Sequence, residues 1–193
     1  MSESNYEINL TNVRISYPHL FEPFAWQGQG TPKYSARFLL HKTEHADLIK
    51  QIASKIKQLS AESYKDKKMP PPDKLCLRDG DLSGRDEEVG YWTLNASESS
   101  RPVVVDRQRS PLTAEDEVIF PGCRVNAKIN LWAQDNKYGR RANANLLGVQ
   151  FVKDDERLGT GRTRQTADEM FEASDFADSP GGSDDYPFGN NDL

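Results

Sequence analysis

Residues 123–134, CRVNAKINLWAQ, alternate between small or apolar side chains and mostly polar ones, and this pattern decides the predicted fold. Successive side chains of a β-strand point to opposite faces, so we place Cys123, Val125 and Ile129 on one core-facing side. A short polar turn, DNKYG, leads into RRANANLLGVQFV at 140–152, which we interpret as the second arm of a hairpin. Each arm is long enough to coil through a small barrel rather than lie in a flat sheet.

The chain before this hairpin contains further strand patterns and one helix pattern. Residues 6–18 and 34–40 are rich in β-branched and aromatic residues, whereas 19–33 have the prolines and glycines of a loop. From Thr43, a predicted helix N-cap, to about Tyr64, apolar residues recur every three or four positions. Short strands are also predicted at LCLRDG, YWTLNA, PVVVD and EVIF. The predicted fold is therefore mainly β with one long surface helix.

Charge is distributed unevenly along the 193 residues. The net charge at pH 7 is -5, but the last basic residue is Arg164 and eight acidic residues follow it. Residues 1–164 carry 25 basic and 22 acidic side chains. We therefore predict a mildly basic folded domain at 1–158 and a flexible acidic tail at 159–193, and the basic body suggests an anionic partner.

The cysteines and the N-terminus indicate a cytoplasmic protein. Cys76 and Cys123 lie far apart, and the opening residues MSESNYEINL lack the apolar segment of a secretory signal. No stretch approaches the ~20 consecutive apolar residues that cross a bilayer. Reduced thiols and no membrane insertion are expected.

Residue patterns for catalysis or metal binding are weak. The three histidines, His19, His41 and His45, do not stand at zinc-ligand spacing from the cysteines. The acidic residues of 79–88 could be imagined as the metal site of a nuclease, but they lie among glycines and a serine, and a solvated loop explains them better. We find no phosphate-binding loop and no activated nucleophile. The chain is predicted not to be an enzyme and to need no cofactor or metal.

Trp132 is the main sign of a binding function, because it lies on the polar face of 123–134 with Arg124 and Lys128. A ring beside cations suits base stacking, which contributes ~1–3 kcal/mol per base without sequence preference. Alternatively, Trp132 packs beneath the 43–64 helix or the loop that contains Trp26. The lysines of the helix occupy ordinary surface positions, so single strands are favoured over a duplex groove.

The predicted nucleic-acid site extends from this face to neighbouring strands. Tyr91 and Trp92 point to opposite faces, so at most one of them can contact a ligand. Further cations in the β portion, including Arg14, Arg101, Arg107 and Arg109, are available for phosphate. The predicted site residues are Tyr34, Arg37, Tyr91, Trp92, Arg124, Lys128, Asn130, Trp132, Tyr138, Arg140 and Arg141.

Four segments together carry a family resemblance: LTNVRISYPHLFEP at 10–23, YSARFLLHK at 34–42, RPVVVDR at 101–107, and residues 121–158. They resemble a bacteriophage single-stranded DNA-binding protein family, formerly a family of unknown function. The resemblance implies an OB-type barrel that coats single-stranded DNA without sequence preference. It also implies a role in phage DNA replication or recombination in the cytoplasm of the host bacterium.

The chain ends in SDDYPFGNNDL, a second point of resemblance. Asp184, Asp185, Pro187 and Phe188 match, in order, the acids and proline-phenylalanine of single-stranded DNA-binding protein tails, although five residues follow Phe188. This implies that the tail recruits replication or recombination proteins. We expect the acids to compete with DNA phosphate, and Tyr186 and Phe188 to act as hydrophobic anchors.

Two other functions compete with single-stranded DNA binding. The protein could be a non-catalytic adaptor, whose tail recruits replication proteins while the body only anchors it. Less favoured is a metal-dependent nuclease that uses the acids of 79–88.

Overall fold

The computed structural model describes residues 6–28 and 30–159, so the predicted tail, including the motif at 184–188, lies outside the described residues. Within the described part, the chain forms seven strands and one α-helix, which confirms the predicted mainly β class. The elements are β1 (Glu7–Phe24), β2 (Lys33–His41), α1 (Ala46–Ser63), β3 (Leu77–Asp79), β4 (Tyr91–Glu98), β5 (Val103–Val105), β6 (Arg124–Asn136) and β7 (Gly139–Lys153).

The strands form one curved sheet in the order β3-β4-β2-β1-β6-β7-β5. It closes because the residues just before β3 also reach β7: the Cys76 amide donates to the Ala142 carbonyl at 2.8 Å, and Leu75 bridges Ala142 in parallel. The short strand β5 pairs in parallel with the second half of β7, beyond this junction. The result is a closed barrel, as the family resemblance implied.

β1 is shared between the two halves of the barrel. It pairs antiparallel with β6 from Glu7 to Arg14 and with β2 from Arg14 to Phe24. The strand bends where Asn12 and Tyr17 adopt left-handed backbone angles, with φ of 53° and 46°, next to shifts of register. Such bulges increase the local twist, which allows one strand to serve both neighbours.

The bulge at Tyr17 changes the face that its side chain occupies. Plain alternation in residues 6–18 predicts that Val13, Ile15 and Tyr17 share one face, with Arg14 on the other. Val13 and Ile15 are buried, but Tyr17 is exposed, so this prediction is wrong for Tyr17. Because the extra residue of a bulge breaks the two-residue period, the ring turns outward.

The hydrophobic core fills the barrel from both arms of the β6–β7 hairpin. Cys123, Val125 and Ile129 are fully buried, as the alternation of 123–134 predicts. They belong to the same buried cluster as Phe38 of β2 and Leu146 of β7. Burying a large apolar side chain stabilises the folded state by about 1.5–3 kcal/mol, so this shared cluster is the main support of the barrel.

α1 packs one stripe against this core through Ile52, Ile56 and Leu59, as predicted from their spacing. It begins at Ala46 with His45 in the N-cap position, and the predicted cap Thr43 instead lies in the preceding turn. Among the described residues, no helix is long and apolar enough to cross a membrane.

Two predicted boundaries differ from the structure. Residues 19–24 continue β1 instead of beginning a loop, because Pro18 sits at the break in pairing between Ser16 and His19, where its missing amide donor is not needed. The predicted strand EVIF at 117–120 is absent. A capping box between Thr113 and Asp116 forms a short 3-10 turn, which ends at the left-handed Glu117. The next residues pack against the core without joining the sheet, and the Phe120 carbonyl accepts from the Cys123 amide at 3.1 Å.

Arg14 and Arg124 tie the segment after β7 to the barrel. Arg14 is buried and donates to the backbone carbonyls of Gly122, at 3.1 Å, and Glu156. Arg124 donates to Asp155 at 2.6 Å, and although burial opposes the charged form, this bond helps to hold the pKa of Asp155 below its ordinary value. Both arginines therefore have structural partners.

His45 provides a pH-dependent contribution to stability. Its Nε2 lies 3.2 Å from the Asn12 carbonyl and its Nδ1 accepts from the His41 amide at 3.0 Å, so both ring nitrogens are used in the neutral form. Burial lowers the pKa of His45 below its ordinary 6.5. The unfolded chain therefore binds more protons than the folded chain below that pH, and stability falls as pH falls.

We predict that the free energy of unfolding decreases between pH 7.5 and 5.5, by up to about 1.4 kcal/mol per unit once below the ordinary pKa. His45→Gln, which cannot titrate, should show a smaller decrease in urea denaturation at the two pH values. Burial also lowers the pKa of His19, so a residual decrease is expected. Equal decreases in the two proteins would contradict the assignment to His45.

Candidate nucleic-acid interface

A groove of about 730 Å³ runs along the outer face of β1, β2 and β4. Two cross-strand rows form its floor: Arg37 pairs with Asn95 in one, and Ser35 lies between His19 and Ser97 in the other. The opposite wall comes from residues 74–78 and from 141–144 of β7, which the closure of the barrel brings close. The groove therefore exists only because the sheet closes.

The groove is strongly basic. Six cationic side chains line it, and its lining includes no aspartate or glutamate among the described residues. Clefts lined by one sign of charge raise the local concentration of oppositely charged ligands. The cations are Lys33, Arg37, Lys74, Arg78, Arg85 and Arg141.

Ring side chains stand along the β1 side of the groove. His19 and Phe24 stack on each other with ring centroids 4.3 Å apart and planes within 6°. Tyr17 stands on the same strand, and Trp26 in the following turn is 70% exposed. Burial lowers the pKa of His19, so its ring is neutral at pH 7. Exposed rings beside cations are the arrangement that stacks nucleic-acid bases.

A buried carboxylate beneath the groove holds two of its arginines. Glu88, whose side chain is 1% exposed, accepts from Arg37 and, at 3.3 Å, from Arg85. Burial alone would raise the pKa of Glu88, but hydrogen bonds from Ser83 and the two arginines bring it below its ordinary value. Both guanidinium groups lie over the Tyr17 ring, at 5.5 and 5.3 Å from its centroid.

The loop at 80–90 holds Glu88 in place by close backbone packing. The Asp81 carboxylate accepts from the Gly90 amide at 2.7 Å and also pairs with Lys42. A Cβ on Gly80 would lie 2.2 Å from the Glu88 carbonyl oxygen and 2.5 Å from that of Tyr91. The acidic stretch 79–88 is thus not simply the solvated loop that its composition suggests.

Two of the residues predicted for the site line this groove. Arg37 lies at its centre and Arg141 on its far wall. Trp132 is outside the lining but pairs across the hairpin with Asn143, which does line it. Cross-strand partners present their side chains on the same face, and Trp132 is 37% exposed, so it continues the outer face beyond the groove.

Three predicted cations hold ion pairs outside this groove. Arg124 pairs with Asp155 and Glu44, Lys128 with Glu7 at 2.7 Å, and Arg140 with Asp66 and Asp135. The Arg140 guanidinium also covers the Tyr64 ring at 4.9 Å. Alternation placed Arg124 and Lys128 on the polar face of β6, but their acidic partners come from distant parts of the chain, which the pattern does not reveal.

The structure does not bring the predicted aromatic residues of β2 and β4 into the groove. Trp92 packs against the core, and Tyr34 occupies the face of β2 opposite to Arg37. Tyr91 stands edge-on to His41 at 5.3 Å, near the other end of β4. Asn130 is half-buried on β6, and Tyr138 is exposed at the hairpin tip.

Several groove residues were missed from the sequence. Phe24 and Trp26 carried a usable signal, because exposed loops rarely hold such rings. Tyr17, Arg85 and Asn95 gave no such signal in the sequence. A bulge turns Tyr17 outward, the loop at 80–90 places Arg85, and strand pairing places Asn95.

Within residues 6–28 and 30–159, no group of three or more histidine, cysteine, aspartate or glutamate side chains could hold a metal ion. Three of the acids of 79–88 have basic partners instead: Lys42 pairs with both Asp79 and Asp81, and Glu88 pairs with two arginines. The geometry of the described residues thus gives no support to the nuclease alternative.

Comparison with known proteins gives one family match. The family model for the Enterobacter phage Enc34 single-stranded DNA-binding protein matches residues 6–180. The chain belongs to this family. The match spans the barrel and part of the predicted tail, and it confirms the resemblance inferred from the sequence.

Similar proteins with known structure or sequence cover most of this chain. The Enc34 protein in complex with single-stranded DNA is 38% identical, with a TM-score of 0.74 over 80% of this chain and 90% of its own. A second structure of the Enc34 protein gives 39% identity and a TM-score of 0.72, covering 82% of this chain and 87% of its own. A protein called p50 from Acyrthosiphon pisum secondary endosymbiont phage 1 is 41% identical, covering 80% of this chain and 88% of its own.

The packing of Gly80 under Glu88 leads to a stability prediction. The substitution Gly80→Ala forces the backbone to move. We expect it to lower the free energy of unfolding by about 3 kcal/mol, or the melting temperature by roughly 10 °C. Gly84→Ala, in the same loop, meets no atom within 4 Å, and only its left-handed φ of 73° opposes the side chain. It should cost about 1 kcal/mol, or roughly 3 °C. Equal melting temperatures for the two variants would contradict the close contact.

Proposed function

We propose that this protein binds single-stranded DNA, without sequence preference, in the basic groove between β1, β2, β4 and β7. The observation that carries the proposal is the lining of that groove, in which six cations stand beside exposed rings with no carboxylate among the described lining residues. Cations alone would attract any polyanion. Rings at the same place favour single strands, whose bases are free to stack.

Each part of the groove has a separate role in this proposal. Trp26 and Phe24 stack on bases, and every base offers a flat face, so the contacts carry little sequence information. Lys33 and Arg141 on opposite walls contact phosphates. Trp132, next to Asn143 on the outer face, provides a further stacking ring where the strand leaves the groove.

Trp26 and Trp132 should report binding directly. We expect oligo-dT to quench tryptophan emission, and Trp26→Ala to weaken binding by about 1–3 kcal/mol, roughly 5- to 150-fold in Kd. Trp132→Ala should produce a smaller loss, since this ring lies outside the groove lining.

A suitable control is Leu82→Ala, which removes another highly exposed apolar side chain that does not line the groove. It should bind like the unaltered chain. Flat emission at low salt, together with unchanged affinity in both tryptophan variants, would rule out stacking.

We extend the proposal to the whole chain as a binding domain at 1–158 and an acidic tail at 159–193. The eight acids after Arg164 compete with DNA phosphate for the cations of the body. Tyr186 and Phe188 anchor replication or recombination proteins, and the protein acts in phage DNA replication or recombination in the host cytoplasm. The family match supports the phage setting, and the order of residues at 184–188 supports the recruiting role.

Deleting residues 165–193 tests the competition. Affinity for oligo-dT should increase, most strongly at ~50 mM salt, where screening of charge is weakest. Unchanged affinity at that salt would reject competition. The adaptor alternative predicts instead that residues 1–158 alone have no measurable affinity for DNA, so a titration of this shorter fragment separates the two functions.

A further inference from the structure

Glu88 is a buried negative charge beneath two arginines that line the groove proposed to bind DNA. Its side chain is 1% exposed, and one carboxylate oxygen accepts from both Arg37 and Arg85. A buried carboxylate carries a large desolvation cost, and a negative charge beside a phosphate site also opposes DNA binding. Its place beneath the groove therefore requires an explanation.

The contacts of the two arginines suggest what Glu88 does. Arg37 donates from Nε to the Asn95 side chain at 2.8 Å and from Nη1 to Glu88, so two edges of its guanidinium are held. Arg85 comes from the loop and is held to the same carboxylate oxygen. Long arginine side chains lose much rotamer freedom when they are ordered, and here that ordering precedes any ligand.

The arginines also remain available to a ligand. Their side chains are 22% and 40% exposed, and each guanidinium has five N–H donors, more than the protein contacts use. Both lie over the Tyr17 ring, whose hydroxyl lies 3.4 Å from Glu87. Among Glu88, Arg37 and Arg85 themselves, one carboxylate against two guanidinium groups leaves one positive charge.

We propose that Glu88 is a positioning residue, which fixes Arg37 and Arg85 around Tyr17 so that their remaining donors receive one phosphate of the DNA backbone. This inference rests on the proposed function. In this role Glu88 increases affinity for single-stranded DNA despite its charge, because the two arginines need no ordering when the strand arrives.

The competing explanation is that Glu88 only neutralises excess positive charge and allows the loop to fold. The two explanations predict opposite signs for Glu88→Gln. If Glu88 only neutralises charge, its removal adds one positive charge to the groove, and binding becomes tighter with a steeper salt dependence. If Glu88 positions the arginines, removal weakens binding and makes the salt dependence shallower.

The experiment titrates fluorescent oligo-dT with the full chain and with Glu88→Gln between 50 and 300 mM salt. We expect about tenfold weaker binding, with the slope of log K against log salt reduced by roughly 0.7 for the lost phosphate contact. Equal or tighter binding by the variant would overturn the inference. Absence of binding by the unaltered chain would instead overturn the proposed function, and the inference with it.

Asp86→Asn is the matched control, because it removes an exposed carboxylate from the same loop. It should bind as well as the unaltered chain or slightly more tightly. A loss equal to that of Glu88→Gln would show that any change in this loop weakens binding, and would overturn the specific role of Glu88.

Two further variants extend the test, and the first of them does not require Glu88→Gln to fold. Arg85→Lys keeps the charge on a largely exposed side chain but lacks the planar fork, so binding should weaken, and unchanged affinity would count against the inference. If Glu88→Gln folds, we compare it with Arg85→Gln and with the double variant. The double variant should lose less binding free energy than the two single variants combined, because Glu88 acts through Arg85. Fully additive losses would contradict the coupling.

Discussion

The barrel depends on one strand, β1, forming ladder hydrogen bonds with β6 along its first half and with β2 along its second. A straight strand cannot follow both neighbours, and β1 bends where Asn12 and Tyr17 adopt left-handed backbone angles. Non-glycine residues pay a steric cost for this conformation, which the surrounding ladders offset. The second bend turns Tyr17 outward and carries the strand on to His19 and Phe24, so the bend that closes the barrel also sets one side of the groove.

Charge in this protein is concentrated rather than spread over the barrel. On β6 and β7, Arg124, Lys128 and Arg140 each face an acidic partner, which reduces their attraction for a polyanion. The groove has six cations, and its main acidic contact, Glu88, is buried beneath two of them. A cleft lined by cations, with no carboxylate among its described lining residues, raises the local concentration of a charged ligand there. The modest excess of basic residues in residues 1–164 therefore understates the positive potential in the groove.

Family membership and site geometry support different parts of the functional conclusion. The match to the Enc34 family establishes relationship over residues 6–180, and the 38% identical relative was solved with single-stranded DNA. A shared fold alone does not carry function, which belongs to the site. Here the basic groove with exposed rings supplies the physical reason why a member of this family would hold a single strand. The positions that create the groove, a bulge and a tightly packed loop, are backbone features that a residue pattern does not reveal.

The sequence by itself determined the hairpin of β6 and β7, the helix and the core faces, because the periods of two and 3.6 residues are local properties. It also identified Arg37 and Arg141 as candidates. Only the tertiary structure decided that Tyr17 faces outward, that Trp92 joins the core and that Glu88 is buried beneath arginines. These outcomes depend on bulges, strand order and contacts between residues far apart in the chain. Barrel closure between residues 75–76 and β7 brings those distant parts together, and a period in the sequence has no information about which strands will meet.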